Sequence, residues 1–339
     1  MARITLVGVA KAFNDKQILD RLDLDIENGE LLALLGPSGS GKTTLLKLIA
    51  GLDTPSAGRI KFDGSDVTLV STRHRQAIIV FQDHCLFPHL TVKENIAFGL
   101  RARNEPRATI DRKVGEILEV VQLPGRQNSL PHALSGGEKQ RIALARACVL
   151  KPRVLLLDEP FSNLDVNLRL SMREFVVSLQ RVLKLTCVLV THDKEEAFVM
   201  AERVAVLLDG RLEQVDTPEN LYDRPKNKKV AEFLGEANFF PGVVADGVFT
   251  CALGSFATPW QDTRQAVGMV RYDNVQLGRH TGNTLGKIKD KVFAGRYTFY
   301  KVALAAGGEL MASCKESFTL GDAVYVSCAD HAMQVYSTP

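Results

Sequence analysis

This sequence predicts an α/β layer fold followed by a small all-β domain, and three observations carry the prediction. Apolar, strand-like runs alternate with stretches of helical periodicity up to about residue 235. From Phe239 onward the texture changes to short runs rich in Val, Phe and Tyr, punctuated by glycines from Gly242 to Gly321. At 339 residues the chain is also too long for one ordinary core. The expected organisation is a first domain over residues 1–235 and an all-β accessory domain over residues 236–339.

Taken in order, Arg3 to Lys11 reads as an opening strand, since its apolar stretch is too short for a secretory leader and Thr5 and Gly8 interrupt it. Leu22, Leu24 and Ile26 alternate with acidic residues, Asn28-Gly29 is a favoured tight turn, and Glu30 to Leu35 reads as the returning strand of a hairpin. A second strand–turn–strand is expected around Arg59 to Gly64. Residues 92–122 carry helical periodicity, broken at Pro106, and a further helix begins after Ser135. Val154 to Leu157 and Thr186 to Val190 are fully apolar, as strands inside a parallel sheet are. Val204 to Leu208, Asp209-Gly210 and Arg211 to Val215 read as a last hairpin of the first domain.

Composition narrows the function. The chain is 45% hydrophobic and 24% charged, with 42 basic against 39 acidic residues and no long basic block. There is no electrostatic reason to expect a nucleic-acid partner. No apolar run approaches the ~18 residues that cross a bilayer, so a membrane role would have to come through a partner. The six cysteines are scattered without a CxxC pair, as buried reduced thiols of a cytosolic protein are.

The chemistry lies in three motifs. Gly36 to Thr43 fits GxxxxGK[ST] between a strand and a helix, so Gly36, Pro37, Ser38, Gly39, Ser40, Gly41, Lys42, Thr43 and Thr44 read as a cradle for nucleotide phosphates. Backbone N–H groups curl around the β-phosphate, Lys42 bridges β- and γ-phosphates, and Thr43 offers its hydroxyl to Mg²⁺. Matching both pattern and context sets this apart from a Gly/Ser-rich turn. Asp158 and Glu159 follow a buried strand, where α/β sheets place their ligands. Alone they could be a helix N-cap. Beside a phosphate loop, Asp158 supports Mg²⁺ through its water shell and Glu159 polarises the attacking water. Third, Leu134-Ser135-Gly136-Gly137-Glu138 has the form of a capping box. Its two glycines weaken a first helical turn and make sense where backbone N–H groups must approach an anion closely.

On that third motif the chain resembles the ABC ATPases, with Glu138 in the usual Gln place. The resemblance implies a helical subdomain within the first domain and roles for four further positions. Gln82 is similar to the glutamine that senses Mg²⁺ and the attacking water, and His192 to the switch histidine at the γ-phosphate. Ser162 to Asp165 resembles the loop that meets the opposite protomer, which places Asp165 at the nucleotide interface. Phe13 stands where an aromatic stacks on adenine. The implied catalytic set is Lys42, Gln82, Glu159 and His192. The implied Mg²⁺ set is Thr43, Gln82 and Asp158, and Phe13, the phosphate loop, Ser135, Gly136, Gly137 and Asp165 hold ATP. The motifs occur once, so the resemblance further implies a homodimer with two ATP sites, each built from one subunit's phosphate loop and the other's Ser135 to Gly137.

The chain shows no fused membrane spans, and its C-terminal β region resembles the accessory transport-associated OB (TOBE) domain of bacterial importer ATPases. This implies a motor on the cytoplasmic face of the inner membrane, attached to two permease subunits and served indirectly by a solute-binding protein. Its cargo would be a small charged nutrient such as ferric iron, polyamine or sulfate. His84, Cys85 and His89 match no common zinc framework; their segment, Phe81 to Val92, resembles the loop that helps form the permease groove. Tyr272-Asp273 departs from the Arg-Pro-Glu sequence usual in the accessory domain. The alternative is a stand-alone ABC ATPase acting on nucleic acid or ribosomes, although the long coiled-coil insertion of the chromosome ATPases is missing.

Overall fold

Leu31–Leu35, four leucines and an alanine, is buried at every position, and it lies at the heart of a six-stranded sheet. The order in that sheet is Arg211–Asp216, Arg203–Leu208, Leu31–Leu35, Thr186–Thr191, Val154–Asp158 and Ala77–Val80. All neighbours run parallel except the edge pair Arg211–Asp216 and Arg203–Leu208, a hairpin turned by Asp209 and Gly210 at φ 48° and 75°. The computed structural model describes residues 2–14, 16–82, 85–260 and 263–337, and divides into two units, Met1–Pro218 and Glu219–Pro339.

A second, antiparallel sheet of the first unit has the order Lys16–Ile26, Ile4–Phe13, Ala57–Phe62 and Ser65–Asp66. This corrects the expected first hairpin. Lys16–Ile26 pairs with Ile4–Phe13, while Leu31–Leu35 departs into the other sheet. The physical reason is burial: an alternating strand needs one covered face, whereas Leu31–Leu35 needs two. The core that results joins Leu6, Leu24 and Phe62 of the antiparallel sheet to Leu32, Leu156 and Val188 of the parallel one through Leu45, Leu46 and Ile49 of the helix Lys42–Ala50. Helices Val92–Ala102 and Arg107–Val120 follow the expected periodicity, with Pro106 at the N-cap of the second. Both pack with the helix Gly136–Cys148.

The second unit is built on two five-stranded antiparallel sheets. One has the order Gly254–Ala257, Val248–Cys251, Ala237–Ala245, Thr263–Arg271, Gln334–Ser337, and the other Gln276–Gly278, Ala323–Ser327, Thr284–Phe293, Thr298–Leu304, Glu309–Cys314. One core, including Phe240, Phe249, Phe256, Tyr300 and Phe318, draws on both sheets. This is the β architecture, half-barrels of an OB-like kind, that the glycine-punctuated sequence predicts. The helix Lys228–Leu234, which precedes the change of texture at residue 236, belongs to this unit.

Candidate nucleotide site

Three parallel strands end at the same edge of the sheet and deliver the motifs there. Leu31–Leu35 leads into the phosphate loop, Val154–Asp158 into the paired acids and Thr186–Thr191 into His192. The loop can only be glycine-built. A Cβ on Gly36 would stand 2.2 Å from the Leu207 carbonyl oxygen, and one on Gly41, at φ 103°, would stand 2.5 Å from Leu19 Cδ2. The helix Lys42–Ala50 that follows has no side-chain cap and no acid in its first turn. Its N-terminal N–H groups are thus left to an anion. Ser40 Oγ is buried with no hydrogen-bond partner, a donor awaiting an acceptor.

Lys42 is folded back onto the loop. Its Nζ donates to the carbonyls of Gly36 (2.8 Å) and Pro37 (2.9 Å). Burial lowers its pKa, against the opposing pull of Glu159 and Asp158. Thr43 Oγ1 donates to Asp158 Oδ1 (3.1 Å). Burial raises the Asp158 pKa, Thr43 counteracts it, and neighbouring Glu159 raises it further. Hard oxygen donors in this arrangement suit Mg²⁺, which binds few protein oxygens and keeps several waters.

Glu159 occupies the left-handed region at φ 46°, a conformation that costs an L-residue roughly 1–2 kcal/mol. Its N–H donates to the Val190 carbonyl (3.0 Å), and its own carbonyl accepts from Ser162 Oγ (3.0 Å). These bonds hold its side chain towards His192, whose Nδ1 lies 3.0 Å from Glu159 Oε2. Gln82 reaches a different partner, its Nε2 lying 3.5 Å from Asn163 Oδ1. Phe13 is 48% exposed, with Lys11 Nζ 4.7 Å from its ring centroid. An aromatic left this far outside the core is available for stacking.

Ser135 to Glu138 forms a full capping box. Ser135 Oγ accepts from Glu138 N–H (3.3 Å) and Glu138 Oε2 accepts from Ser135 N–H (2.9 Å). The two glycines have separate reasons. A Cβ on Gly137 would meet Leu168 Cδ1 at 2.6 Å, so that side chain would have to shift, whereas one on Gly136 would find nothing nearer than 3.8 Å. Only at Gly136 does the demand for close approach remain unexplained by the chain's own packing. Asp165 caps the helix Val166–Leu183 by accepting from Leu168 N–H (3.0 Å). His84 lies outside the described residues. Sequence reasoning missed Arg169 and Arg173, whose spacing one turn apart on an amphipathic helix was the available signal.

Residues 19–162 match the profile of the family described as ABC transporter. The spermidine/putrescine import ATP-binding protein PotA of Shigella dysenteriae serotype 1 and that of Escherichia coli strain K12 are each 51% identical to this chain over 243 residues. PotA of Shigella flexneri is equally similar. The match covers 72% of this chain and spans 64% of the length of those relatives. Over residues 19–162 the chain is thus similar to the ABC transporter family.

Proposed function

We propose that this chain is the ATP-hydrolysing motor of a membrane importer and that two copies form the working unit. The observation that carries the reading is the meeting of Lys42, Thr43 with Asp158, and Glu159 with His192 at one edge of the parallel sheet. On this reading the phosphate loop takes the β- and γ-phosphates, and Lys42 exchanges the Gly36 and Pro37 carbonyls for phosphate oxygens. Thr43 and Asp158 would hold Mg²⁺, which supplies charge neutralisation on the phosphates when bound. Glu159 orients and polarises the attacking water. His192 holds that carboxylate and faces the γ-phosphate. Phe13 stacks on the adenine. Gly136 and its capped helix N-terminus are read as contacting the partner copy's γ-phosphate, so that ATP favours a closed pair and hydrolysis releases it.

Coupling to a permease is supported by an open apolar groove flanking the Gln82 segment, lined by Leu52, His74, Ile79, Phe81, Gly99 and Leu150. Leu52 and Phe81 there are 54% and 39% exposed. Among the described residues no helix is long and apolar enough to cross a membrane. On the proposed reading the chain sits on the cytoplasmic face, held there by its permease partners. The relatives' names speak of import, which favours this reading over a stand-alone ATPase and narrows the proposed cargo to the polyamine class. The test is purification from detergent-solubilised membranes followed by ATPase assay. Two transmembrane subunits should co-purify, and polyamine-loaded binding protein should raise turnover. Stimulation by DNA or ribosomes alone, with no membrane partner, would sink the importer.

A further inference from the structure

The helix Val166–Leu183 touches three motifs at once. Leu168 Cδ1 lies 2.6 Å from where a Cβ on Gly137 would stand, in the signature helix Gly136–Cys148. Next to it, Arg169 Nη2 donates to the carbonyl of Leu164 (3.1 Å), within the loop Ser162 to Asp165. One turn further on, Arg173 is buried, with its side chain 4% exposed. Its Nη2 donates to Asp193 Oδ2 (3.2 Å) and Glu196 Oε1 (3.5 Å), and its Nη1 lies 3.4 Å from Glu195 Oε2.

Those acids frame His192. Asp193 follows it directly and caps the helix Lys194–Met200, its Oδ1 accepting from the N–H groups of Glu195 (2.8 Å) and Glu196 (3.4 Å). Glu196 turns its other oxygen to Thr191 Oγ1 (2.6 Å), and that hydroxyl accepts from Asp193 N–H (3.0 Å). Both neighbours of His192 in the chain are therefore held by groups that end on one guanidinium. Glu159, His192, Arg169, Asp193 and Glu196 also line a single small cavity, so two of the acids that Arg173 holds share one space with the Glu159 carboxylate. A planar fork can span two carboxylates in fixed directions, which a point charge on a flexible stem cannot.

We propose that Arg173 is a positioning residue for hydrolysis. It fixes the backbone on both sides of His192, and hence the imidazole against Glu159. Arg169 and Leu168, on the same helix, tie that geometry to the Ser162 to Asp165 loop and to the signature helix. The inference rests on the hydrolytic roles proposed above for Glu159 and His192.

Arg173→Lys tests it, because the charge stays and the fork goes. In folded Arg173→Lys, kcat for ATP should fall about tenfold with KM unchanged, as expected when a reacting group is misplaced without loss of binding. The ring signals of His192 in histidine-labelled, nucleotide-free protein, assigned by their loss in His192→Gln, should shift and broaden. Asp193→Asn attacks the same contact from the other side while keeping a good helix cap; it should reproduce both effects, and it decides the matter if Arg173→Lys fails to fold. Wild-type kcat, a rise in KM alone, or an unchanged His192 spectrum in the folded variant would overturn the proposal. The spectrum does not depend on turnover. A wild-type protein that failed to hydrolyse ATP would refute the hydrolytic reading, while the spectrum would still judge the pin.

Discussion

Glu159 Oε2 and His192 Nδ1 lie 3.0 Å apart, although the two residues follow different strands of the sheet. The contact depends on the left-handed turn at Glu159, at φ 46°, since that turn carries the carboxylate away from its strand and across to the next. Backbone strain spent on aiming one carboxylate is what a positioned base requires. The imidazole then limits where the carboxylate can go, much as a third group orients the base in other activated sites.

Glu159→Gln should therefore keep nucleotide binding and lose hydrolysis. The amide fills the same space and can still reach His192, but it cannot polarise water. Phosphate release should fall by about 10²–10⁴-fold, the usual contribution of a general base. With ATP the variant should accumulate as a dimer on size exclusion. Turnover at the wild-type rate would show that another group is the base. Lys42→Ala should instead lose nucleotide affinity itself, measured by titration with a fluorescent ATP analogue.

Asp158 gives a pH dependence with a definite sign. Burial raises its pKa in the folded chain, so the folded state binds this proton more tightly than the unfolded state does. Its contribution to stability is then present at acid pH and is lost as pH rises through the folded pKa. Asp158→Asn, neutral at every pH, should melt at or above the wild-type temperature at pH 7.5 without nucleotide, and the difference should close as pH falls through the carboxylate range. The same variant should need more Mg²⁺ to support ATP hydrolysis. A melting temperature well below wild type at pH 7.5 would mean that the Thr43 hydrogen bond outweighs the cost of burying the charge.

The two ends of the glycine story separate folding from function. At Gly36 the obstacle to a side chain is the Leu207 carbonyl oxygen, 2.2 Å from any Cβ. Backbone cannot swing aside, so Gly36→Ala should cost about 1–3 kcal/mol of stability. Gly136 is open, with nothing inside 3.8 Å of its Cβ, and alanine is a better helix former there. Gly136→Ala should melt no lower than wild type yet lose ATP-driven dimerisation in the Glu159→Gln background. Unimpaired dimerisation would remove Gly136 from the nucleotide interface.

What could be read in the sequence was whatever a motif holds within itself. The phosphate loop, the paired acids and the Ser135–Glu138 box each carry their chemistry on consecutive residues, and their flanking strand and helix patterns place them on elements. Pairing between distant segments was not legible in that way. The alternation in Lys16–Ile26 says that one face is covered and leaves open which strand lies beside it; Ile4–Phe13 does, rather than Leu31–Leu35. Arg169 and Arg173 belong to no motif on the helix Val166–Leu183. Only the docking of that helix against Lys194–Met200 and the Leu164 carbonyl gives them partners. Gly137 was read as serving an anion, and the Leu168 side chain, 2.6 Å from where its Cβ would stand, is a neighbour that no local pattern contains.

Arg271 is the corresponding case in the second unit. It is 2% exposed, and burial lowers its pKa. Its Nε and Nη2 donate to the Tyr222 carbonyl (3.0 and 2.8 Å) and its Nη1 to the Gly235 carbonyl, while the guanidinium lies 4.4 Å from the Tyr222 ring centroid. The helices Pro218–Asp223 and Lys228–Leu234 end at those carbonyls, where a cation is favourable. Arg271→Met keeps the bulk and leaves both carbonyls without their donor, at a cost of about 1–3 kcal/mol each when buried. Arg271→Lys can serve only one of them well and should fall between the two. Trp260, the single tryptophan of the chain and a member of this unit, gives the readout. Urea unfolding followed by its fluorescence should show a midpoint that drops in the order wild type, lysine, methionine. An unmoved midpoint for Arg271→Met would mean that the β core alone sets the stability of this unit.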